Sequence, residues 1–452
     1  MLIANIEHGW TGDAAGTRLT GAIRVECGII TAMGALSPRS DEEVLDARGC
    51  VVTPGLVNTH HHLFQSALKG LAINAPLELW LEKVPYTYWP ALDEEALRIS
   101  ARIGLAELAL TGATTVCDHH YAFSDRYDYD PAAVLFEEAA RFGLRFVLAR
   151  GGMARGRDFG AHVPAAPTES VRRFLDGVAK AATRWHDPAP DAMTRVVCAP
   201  TTPNFNFPPG ALPEIAREAR RLGLRLHAHL SENTAYAAQT LRDFGKRPVP
   251  WLAGLDWLGH DVWFAHLVDI SPEEIALLAE TGTAMAHCPQ ANARLGSGIA
   301  PAPALHRAGG TVSLAVDGAG ANEAADMGAA LYSALMLHRA AHGVTAITPA
   351  TILHWATMGG AKTLGLPAIG ELAAGKAADI TLFHLDQPRS FGLHDPGLAP
   401  MVTGAVRVRH SMVAGRMIVR DGHLPGLDLA ELAQDADRTT RRLARNAVPE
   451  PV

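Results

Sequence analysis

The sequence lacks the segments that mark membrane, secreted and nucleic-acid-binding proteins. No stretch of 18 uninterrupted apolar residues occurs, and the opening "MLIANIEHGW" has no basic segment followed by an apolar one. We therefore expect a soluble, cytoplasmic protein without a membrane partner. Lysine and arginine form no cluster, and 40 basic residues against 47 acidic ones give a net charge of -7. Nucleic acid is not an expected partner, because its phosphates attract clustered positive charge.

Cysteine is scarce and scattered. The five cysteines are odd in number, far apart and never in a CxxC spacing: Cys27, Cys50, Cys117, Cys198 and Cys288. This distribution disfavours a disulfide framework and excludes a zinc site built from paired thiolates. It also counts against the deaminases that hold zinc through a PCxxC motif.

What the chain does contain is a regular alternation of strand-like and helix-like segments. Eight short apolar runs are separated by helical patterns: "LVNTHHH", "ATTVCDHH", "LRFVLARG", "TRVVCAPT", "LRLHAHLSE", "VWFAHL", "TAMAHCP" and "TVSLAVDG". Among the helical signals, Asp93 is an N-cap, Gly112 closes the same helix, and Ser271 with Glu274 forms a capping box. Eight such repeats predict an α/β fold of the (β/α)8 TIM-barrel type.

A doubly wound sheet is the alternative for such an alternation, but it would gather functional residues at one switch point. Here polar residues follow at least five of the runs. The two ends of the chain have short strands and turns, which predict a small β-sandwich built from both ends. We therefore expect sandwich strands in residues 1–54 and 372–424, the barrel in 55–371 and a helical tail in 425–452.

The triplet "HHH" at the end of the first run predicts a metal site. Side chains alternate along a strand, so His60 and His62 share one face and His61 points to the other. The pair lies at the C-terminal mouth of the barrel, where such folds carry their chemistry. Imidazoles at this spacing suit zinc.

Two further strand ends add ligand and proton-transfer candidates. In "LRLHAHLSE", His229 lies nearest the mouth and Glu232 follows within reach of a group bound to the metal, whereas the deeper His227 is interpreted as a buried structural histidine. The eighth run ends with Asp317 on its inner face, where a carboxylate needs a cation or metal as partner. A helix N-cap is the other interpretation of Asp317. His266 closes the sixth run and converges on the same opening.

Three imidazoles and one carboxylate leave an open coordination position on one divalent ion, Zn²⁺ or alternatively Fe²⁺. Such a site favours catalysis over a purely structural role. In this interpretation Asp317 takes a proton from water whose pKa the metal lowers, and Glu232 carries a proton to the substrate. His266 stabilises the developing oxyanion.

The motifs "TPGLVNTHHH", "HAHLSE", "FAHL" and "AVDGAGANEAADM", with a later "GKAADI", resemble the amidohydrolase superfamily. More narrowly, the chain is similar to the mononuclear aminohydrolase branch, which includes isoxanthopterin, 8-oxoguanine, guanine and cytosine deaminases and the triazine hydrolases. The resemblance implies a single ion, usually zinc, in a TIM barrel beside a small β-sandwich. It also implies the ligands His60, His62, His229 and Asp317, proton transfer by Glu232 with His266, and a homo-oligomer.

The substrate prediction rests on the same resemblance. "HHHLFQS" is similar to the 8-oxoguanine and isoxanthopterin deaminases, in which a glutamine, here Gln65, faces the heterocycle. A cap on the following helix is its alternative. Arg150 at the third strand end either pairs with ring carbonyl oxygens or forms an ion pair with a neighbouring loop. Four aromatic residues after the first strand either cover a flat ring or simply pack: Trp80, Tyr86, Tyr88 and Trp89.

We therefore expect hydrolytic removal of ammonia from an amino-oxo-heterocycle, first a pterin such as isoxanthopterin and next 8-oxoguanine. A triazine hydrolase that releases an alkylamine or chloride would use the same metal and water. A cyclic amidase is less favoured, because the fourth run "TRVVCAPTT" has no lysine of the kind that bridges two metals in the binuclear members. A scaffold without catalysis would lack ligands, and none is missing.

Overall fold

The computed structural model describes residues 1–124, 127–155, 168–404 and 407–447. The N-terminal strands are β1 (Leu2–Trp10), β2 (Arg18–Glu26), β3 (Ile29–Gly34), β4 (Val44–Asp46) and β5 (Cys50–Pro54). The central strands are β6 (Leu56–Asn58), β7 (Ala113–His120), β8 (Arg145–Gly152), β9 (Thr194–Pro200), β10 (Leu226–Leu230), β11 (Val262–His266), β12 (Ala284–His287) and β13 (Val312–Leu314). The C-terminal strands are β14 (Ile380–His384), β15 (Val408–Val413) and β16 (Arg416–Val419).

Helices connect the central strands and complete the chain. They are α1 (Leu77–Leu81), α2 (Glu94–Leu110), α3 (Pro131–Phe142), α4 (Val171–Trp185), α5 (Pro203–Asn206), α6 (Leu212–Arg221), α7 (Thr234–Phe244), α8 (Pro248–Ala253), α9 (Pro272–Thr281), α10 (Pro289–Arg294), α11 (Ala302–Arg307), α12 (Met327–His342), α13 (Pro349–His354), α14 (Gly360–Leu364), α15 (Ala399–Val402) and α16 (Leu429–Asn446). Across the described ranges, no helix combines the length and apolar character that a membrane crossing requires.

The central strands confirm the predicted (β/α)8 barrel. Strands β6 to β13 are hydrogen-bonded in sequence order with parallel neighbours, which a doubly wound sheet would not show. The first and last strands meet at a seam beyond their ends, where the Asp317 amide donates to the His60 carbonyl at 3.1 Å and the Val316 amide donates to Asn58 Oδ1 at 3.1 Å. Functional residues on both sides of this seam are therefore brought together by barrel closure.

The first strand is shorter than its apolar run predicts. The run extends to His62, but β6 ends at Asn58 and a 3₁₀ turn begins at Leu63. The amides and carbonyls after Asn58 bond across the seam and to β7 instead of continuing a regular ladder; His61, for example, accepts from the His119 amide at 2.7 Å. The histidine triplet consequently lies on irregular backbone at the barrel mouth.

Two predicted helix starts are confirmed. Asp93 caps α2 by accepting from the Ala96 amide at 2.8 Å, and Ser271 and Glu274 form both bonds of a capping box at α9. Helix α2 ends at Leu110, and Gly112 follows with φ +105°. A Cβ at this glycine would lie 2.7 Å from the Phe383 ring, so the close approach also favours glycine there.

The chain ends pair as predicted into one small β domain. Its eight strands form a mixed sheet in the order β16-β15-β14-β5-β1-β2-β3, with β4 beside β1. The antiparallel pair β5–β14 joins the two ends of the chain, with Thr53 opposite Thr381. A separate apolar core, which includes Ile3, Ile23 and Ile380, supports this sheet.

A buried ion pair ties the barrel to the β domain. Arg145 at the start of β8 forms a two-pronged contact with Asp379, with Nε–Oδ2 and Nη2–Oδ1 distances of 2.6 and 3.0 Å, and both side chains are 1% exposed. Asp379 also accepts from the Ala414 amide at 2.8 Å, and Arg145 donates to the Asp191 carbonyl. The pair is thus fully enclosed and fully bonded, so each charge depends on the other.

We expect Asp379→Asn to lower the free energy of unfolding by about 3–5 kcal/mol, because the guanidinium would remain buried without a counter-charge. Urea denaturation followed by fluorescence and circular dichroism would measure this loss. Asp46→Asn is a matched control, since Asp46 pairs with Arg48 on the surface and should contribute little. Equal, small losses in both variants would contradict the role of the buried pair.

Candidate metal centre and active site

Three imidazoles present Nε2 atoms to one point at the barrel mouth. His62 Nδ1–H donates to the His119 carbonyl at 2.7 Å, and His229 Nδ1–H donates to the Thr201 carbonyl at 2.7 Å. His60 Nδ1 lies 2.8 Å from His227 Nε2. Because each Nδ1 is engaged on the far side, each Nε2 is left facing the centre, which is the arrangement of metal-binding histidines.

Three of the distances between the candidate ligand atoms are close to those around a single tetrahedral ion. His62 Nε2 lies 3.2 Å from His229 Nε2, and Asp317 Oδ1 lies 3.4 Å from the Nε2 atoms of both His60 and His62. Ligands at the usual zinc distances in tetrahedral geometry are about 3.3 Å apart. His60 Nε2 is buried and has no hydrogen-bond partner within the described residues. The donor set therefore suits the divalent ion that the sequence predicts.

Burial gives these groups the charge states that a cation would use. It lowers the pKa of His60, His62 and His229 well below the usual imidazole value, so the rings are neutral, as metal ligation requires. Burial is also the main cause that raises the pKa of Asp317 to about 6. A carboxylate in so enclosed a position needs a positive partner. Among the described residues, the imidazoles of His60, His62 and His266 lie within 4.0 Å of Asp317, and no Lys or Arg forms an ion pair with it.

Asp317 is held in an uncommon backbone conformation. Its φ is +65°, a region that non-glycine residues rarely adopt. His61 Nδ1–H donates to the Asp317 carbonyl at 2.5 Å, and the Gly318 amide donates to Asp317 Oδ1 at 2.6 Å. His61 thus lies behind the centre, as the alternation predicts, and holds the backbone of Asp317. The helix N-cap interpretation does not hold for α12, whose cap is Asp326.

The two proton-transfer candidates lie beside Asp317. His266 Nε2 is 3.7 Å from Glu232 Oε1 and 4.0 Å from Asp317 Oδ2, and His266 Nδ1 is 2.9 Å from Asn292 Oδ1. His266 has φ +75°, so two of the three residues adopt left-handed backbone. Strain of this kind concentrates at functional sites.

A small cavity of about 30 Å³ opens onto these residues. Its walls combine polar side chains with an apolar cover: His62, Gln65, Tyr121, Thr201, His229, Glu232, His266 and Asp317 with Leu77, Trp80, Leu81, Tyr86 and Leu295. Trp80 is anchored by a hydrogen bond from Nε1 to the Gly320 carbonyl at 2.9 Å. Of the four aromatic residues considered above, Trp80 and Tyr86 line the cavity, whereas Trp89 packs against Tyr86 and Tyr121.

The structure separates the two predicted substrate contacts. Gln65 lines the cavity, and its Nε2 donates to Tyr121 Oη at 3.2 Å, so it does not cap a helix. Its Oε1 is buried and has no hydrogen-bond partner in the part of the chain that the structure describes. Arg150 is not among the residues that line this cavity. It pairs with Glu169, with an Nη2–Oε2 distance of 3.0 Å, and lies 4.0 Å from the Phe123 ring centre. The ion pair is thus the alternative that the structure shows for Arg150.

His119 is a further member of the cluster that sequence reasoning missed. Its ring stacks on that of His229 with centroids 4.8 Å apart, and one of its nitrogens lies within 4.8 Å of those of His60, His62 and His229. Its Nε2–H donates to the Ala199 carbonyl at 3.1 Å. Alternation along "ATTVCDHH" places His119 on the inward face of β7, near the mouth of the barrel. This position was the feature of the sequence from which His119 could have been predicted.

A profile of the amidohydrolase family matches residues 51–418. The chain belongs to the amidohydrolase family. It is 45% identical over 445 residues to an isoxanthopterin deaminase from an unknown prokaryotic organism, with 94% of this chain and 92% of that protein covered. It is 40% identical over 391 residues to an 8-oxoguanine deaminase from Pseudomonas aeruginosa, with 86% of each covered.

Among solved structures, this amidohydrolase is similar to the atrazine chlorohydrolase of Arthrobacter aurescens TC1 complexed with zinc. The TM-score is 0.91 at 29% identity, and the match covers 97% of this chain and 99% of the other. The family, the barrel and the enzymatic class predicted from the motifs are therefore confirmed: the protein is a hydrolase that acts on C–N bonds. Its histidine and aspartate cluster occupies the mouth of the family's barrel.

Proposed function

We propose that this amidohydrolase removes the amino group of an amino-substituted oxo-heterocycle by hydrolysis and releases ammonia. The first substrate class is a pterin such as isoxanthopterin, and the second is 8-oxoguanine. The observation that carries the proposal is one cavity lined by His62, His229, Asp317 and the Glu232–His266 pair, with His60 Nε2 3.4 Å from Asp317 Oδ1 just behind it. The deaminase names of two extensively covered relatives support the choice of reaction.

In this proposal His60, His62, His229 and Asp317 hold one divalent ion, with Zn²⁺ as the first choice and Fe²⁺ as the alternative. When bound, such an ion lowers the pKa of water towards neutrality and so supplies the nucleophile. The fit is supported by three distances of 3.2–3.4 Å: His62 to His229, and Asp317 to both His60 and His62. The neutral state of the buried imidazoles supports the same assignment.

The remaining chemistry is proton transfer by residues that touch the cavity. Asp317 accepts a proton from the attacking water. Glu232 carries a proton to the ring nitrogen and then to the leaving amine, and His266 stabilises the oxyanion that develops on the ring. The distances of 3.7 and 4.0 Å from His266 Nε2 to the two carboxylates support a shared role of the three groups at one reacting atom.

Gln65 is the proposed contact to the heterocycle, because its side chain lines the cavity and the hydrogen-bonding capacity of its buried Oε1 is unused among the described residues. Trp80 and Tyr86 supply flat apolar walls that suit a conjugated ring. A free ring N–H next to an oxo group would satisfy the amide oxygen.

We expect Gln65→Ala to raise KM about tenfold for an oxo-substituted ring, because one buried hydrogen bond would be lost. Ser66→Ala is the matched control: Ser66 is also buried but does not line the cavity, so its KM should stay near that of the parent. Steady-state ammonia release from isoxanthopterin would provide both values. Equal KM values for both variants and the parent would remove Gln65 from substrate binding.

A triazine hydrolase is the second candidate, favoured by the structural match to the zinc-complexed atrazine chlorohydrolase. The same residues would serve, with chloride or an alkylamine as leaving group. Metal-analysed protein should be assayed against isoxanthopterin, 8-oxoguanine, guanine, cytosine, melamine and a chlorotriazine. The proposal predicts ammonia in equal amount to the oxo product from a pterin or oxidised purine. Release of chloride or an alkylamine from the chlorotriazine, without ammonia from the other compounds, would establish the second candidate. Assembly into a homo-oligomer remains a separate prediction.

A further inference from the structure

His227 lies one layer below the metal centre, on the same inward face of β10 as His229. It is fully buried, and its ring stacks on Trp263 with centroids 4.6 Å apart and planes inclined by 19°. Neither ring nitrogen of His227 faces the cavity. One contacts backbone and the other contacts a candidate ligand, so this residue links the barrel wall to the centre.

The direction of the hydrogen bonds along this link follows from donor and acceptor chemistry. His227 Nδ1 lies 3.1 Å from the Trp263 carbonyl oxygen, which can only accept, so Nδ1 carries the proton. In the neutral ring Nε2 is then an acceptor, and it lies 2.8 Å from His60 Nδ1. His60 must therefore donate from Nδ1, which leaves the lone pair of His60 Nε2 directed at the centre.

The three imidazoles differ in what holds them. His62 and His229 are held by the carbonyls of His119 and Thr201, and backbone acceptors of this kind persist whatever side chain is present. His60 is held by a side chain, that of His227. The tautomer and the ring orientation of His60 thus depend on the identity of another residue.

We propose that His227 is a positioning residue of the metal centre, which locks His60 in the Nδ1–H tautomer and aims its Nε2 at the ion. This inference rests on the metal centre of the proposed function. Partners of metal-bound histidines typically change metal affinity by roughly 10- to 100-fold when they are removed. His227 is the residue through which that effect would act on His60.

The test is the zinc affinity of substrate-free protein, measured by competition with a chromophoric chelator. We expect His227→Phe to weaken zinc binding by roughly 10- to 100-fold, because a ring of similar size cannot accept from His60. His227→Gln should stay within a few-fold of the parent, since its carbonyl can accept from His60 while its amide donates to Trp263. Zinc affinity within about twofold of the parent for His227→Phe, or equal losses for Phe and Gln, would overturn the proposal.

His338→Phe is the matched control for packing. His338 is also fully buried and bonds to a histidine, His287, through Nε2 atoms 3.0 Å apart, but it touches none of the candidate ligands. The His338→Phe substitution should lower the melting temperature of metal-free protein without changing zinc affinity.

If His227→Phe does not fold, His227→Asn takes its place in the comparison. The shorter amide cannot reach both the Trp263 carbonyl and His60, so the Asn variant should bind zinc more weakly than His227→Gln. Equal zinc affinity of the Asn and Gln variants would refute the positioning role of His227. Because no substrate is used, these results are independent of which heterocycle is deaminated.

Discussion

Replacing His62 by alanine is expected to abolish metal binding and turnover together. His62 Nε2 is within 3.4 Å of both the Asp317 carboxylate and the His229 ring. Its loss would therefore remove the proposed ligand that lies between two others. Zinc affinity should fall on the order of 100-fold or more, since each ligand supplies a large share of the binding energy. Turnover at limiting zinc should fall on the order of 1,000-fold or more, because the nucleophile is no longer generated.

Elemental analysis of purified protein, together with ammonia release, would check this expectation. His120→Ala is the control, because His120 neighbours the cluster in sequence but bonds instead to the Ala122 carbonyl at 3.1 Å. It should retain its metal. A His62→Ala protein that is isolated with a full complement of metal would contradict the ligand assignment.

For Glu232→Gln we expect the opposite combination, normal metal content with slow turnover. The substitution keeps the size of a side chain that lies at the cavity and not within the set of atoms spaced for the ion. Loss of a positioned proton carrier typically costs about 100- to 10,000-fold in rate. The loss should appear in kcat and kcat/KM alike, because the proton transfers occur in the transition state.

The comparison should include Glu323→Gln, which removes a carboxylate that pairs with Arg294 and does not line the cavity. Its kcat should match that of the parent. If Glu232→Gln turned over at the parent rate, Glu232 would have no part in proton transfer, and Asp317 and His266 would have to carry every proton.

The positions of the inward-facing residues could be predicted because strand alternation is a local property. The place of His229 at the end of β10 follows from the period of a β-strand. His60 and His62 also face the centre as alternation predicts, although they lie beyond the end of β6 and are held there by hydrogen bonds to His227 and to the His119 carbonyl. Barrel closure then brings such strand ends to one mouth, so residues far apart in sequence could be grouped before any coordinates were known.

Other features of the site depend on contacts that no local pattern encodes. Arg150 pairs with Glu169, 19 positions further along the chain, and no periodic pattern in the sequence predicts which carboxylate an arginine will meet. The left-handed backbone of Asp317 depends on the carbonyl contact from His61 across the seam. The early end of β6 also depends on distant contacts. Beyond Asn58 the backbone forms hydrogen bonds across the seam and to β7 in place of the regular strand pairing that the apolar run predicts.

The seam between the first and last barrel strands has a consequence for how the protein matures. His61 and Asp317, whose contact completes the centre, are 256 positions apart in the chain. A ribosome-bound chain that has exposed only its first five barrel strands contains His60, His62 and His229 but not Asp317. In the proposed centre, full-affinity ion binding would therefore require the completed barrel, and the bound ion would stabilise the folded chain in turn.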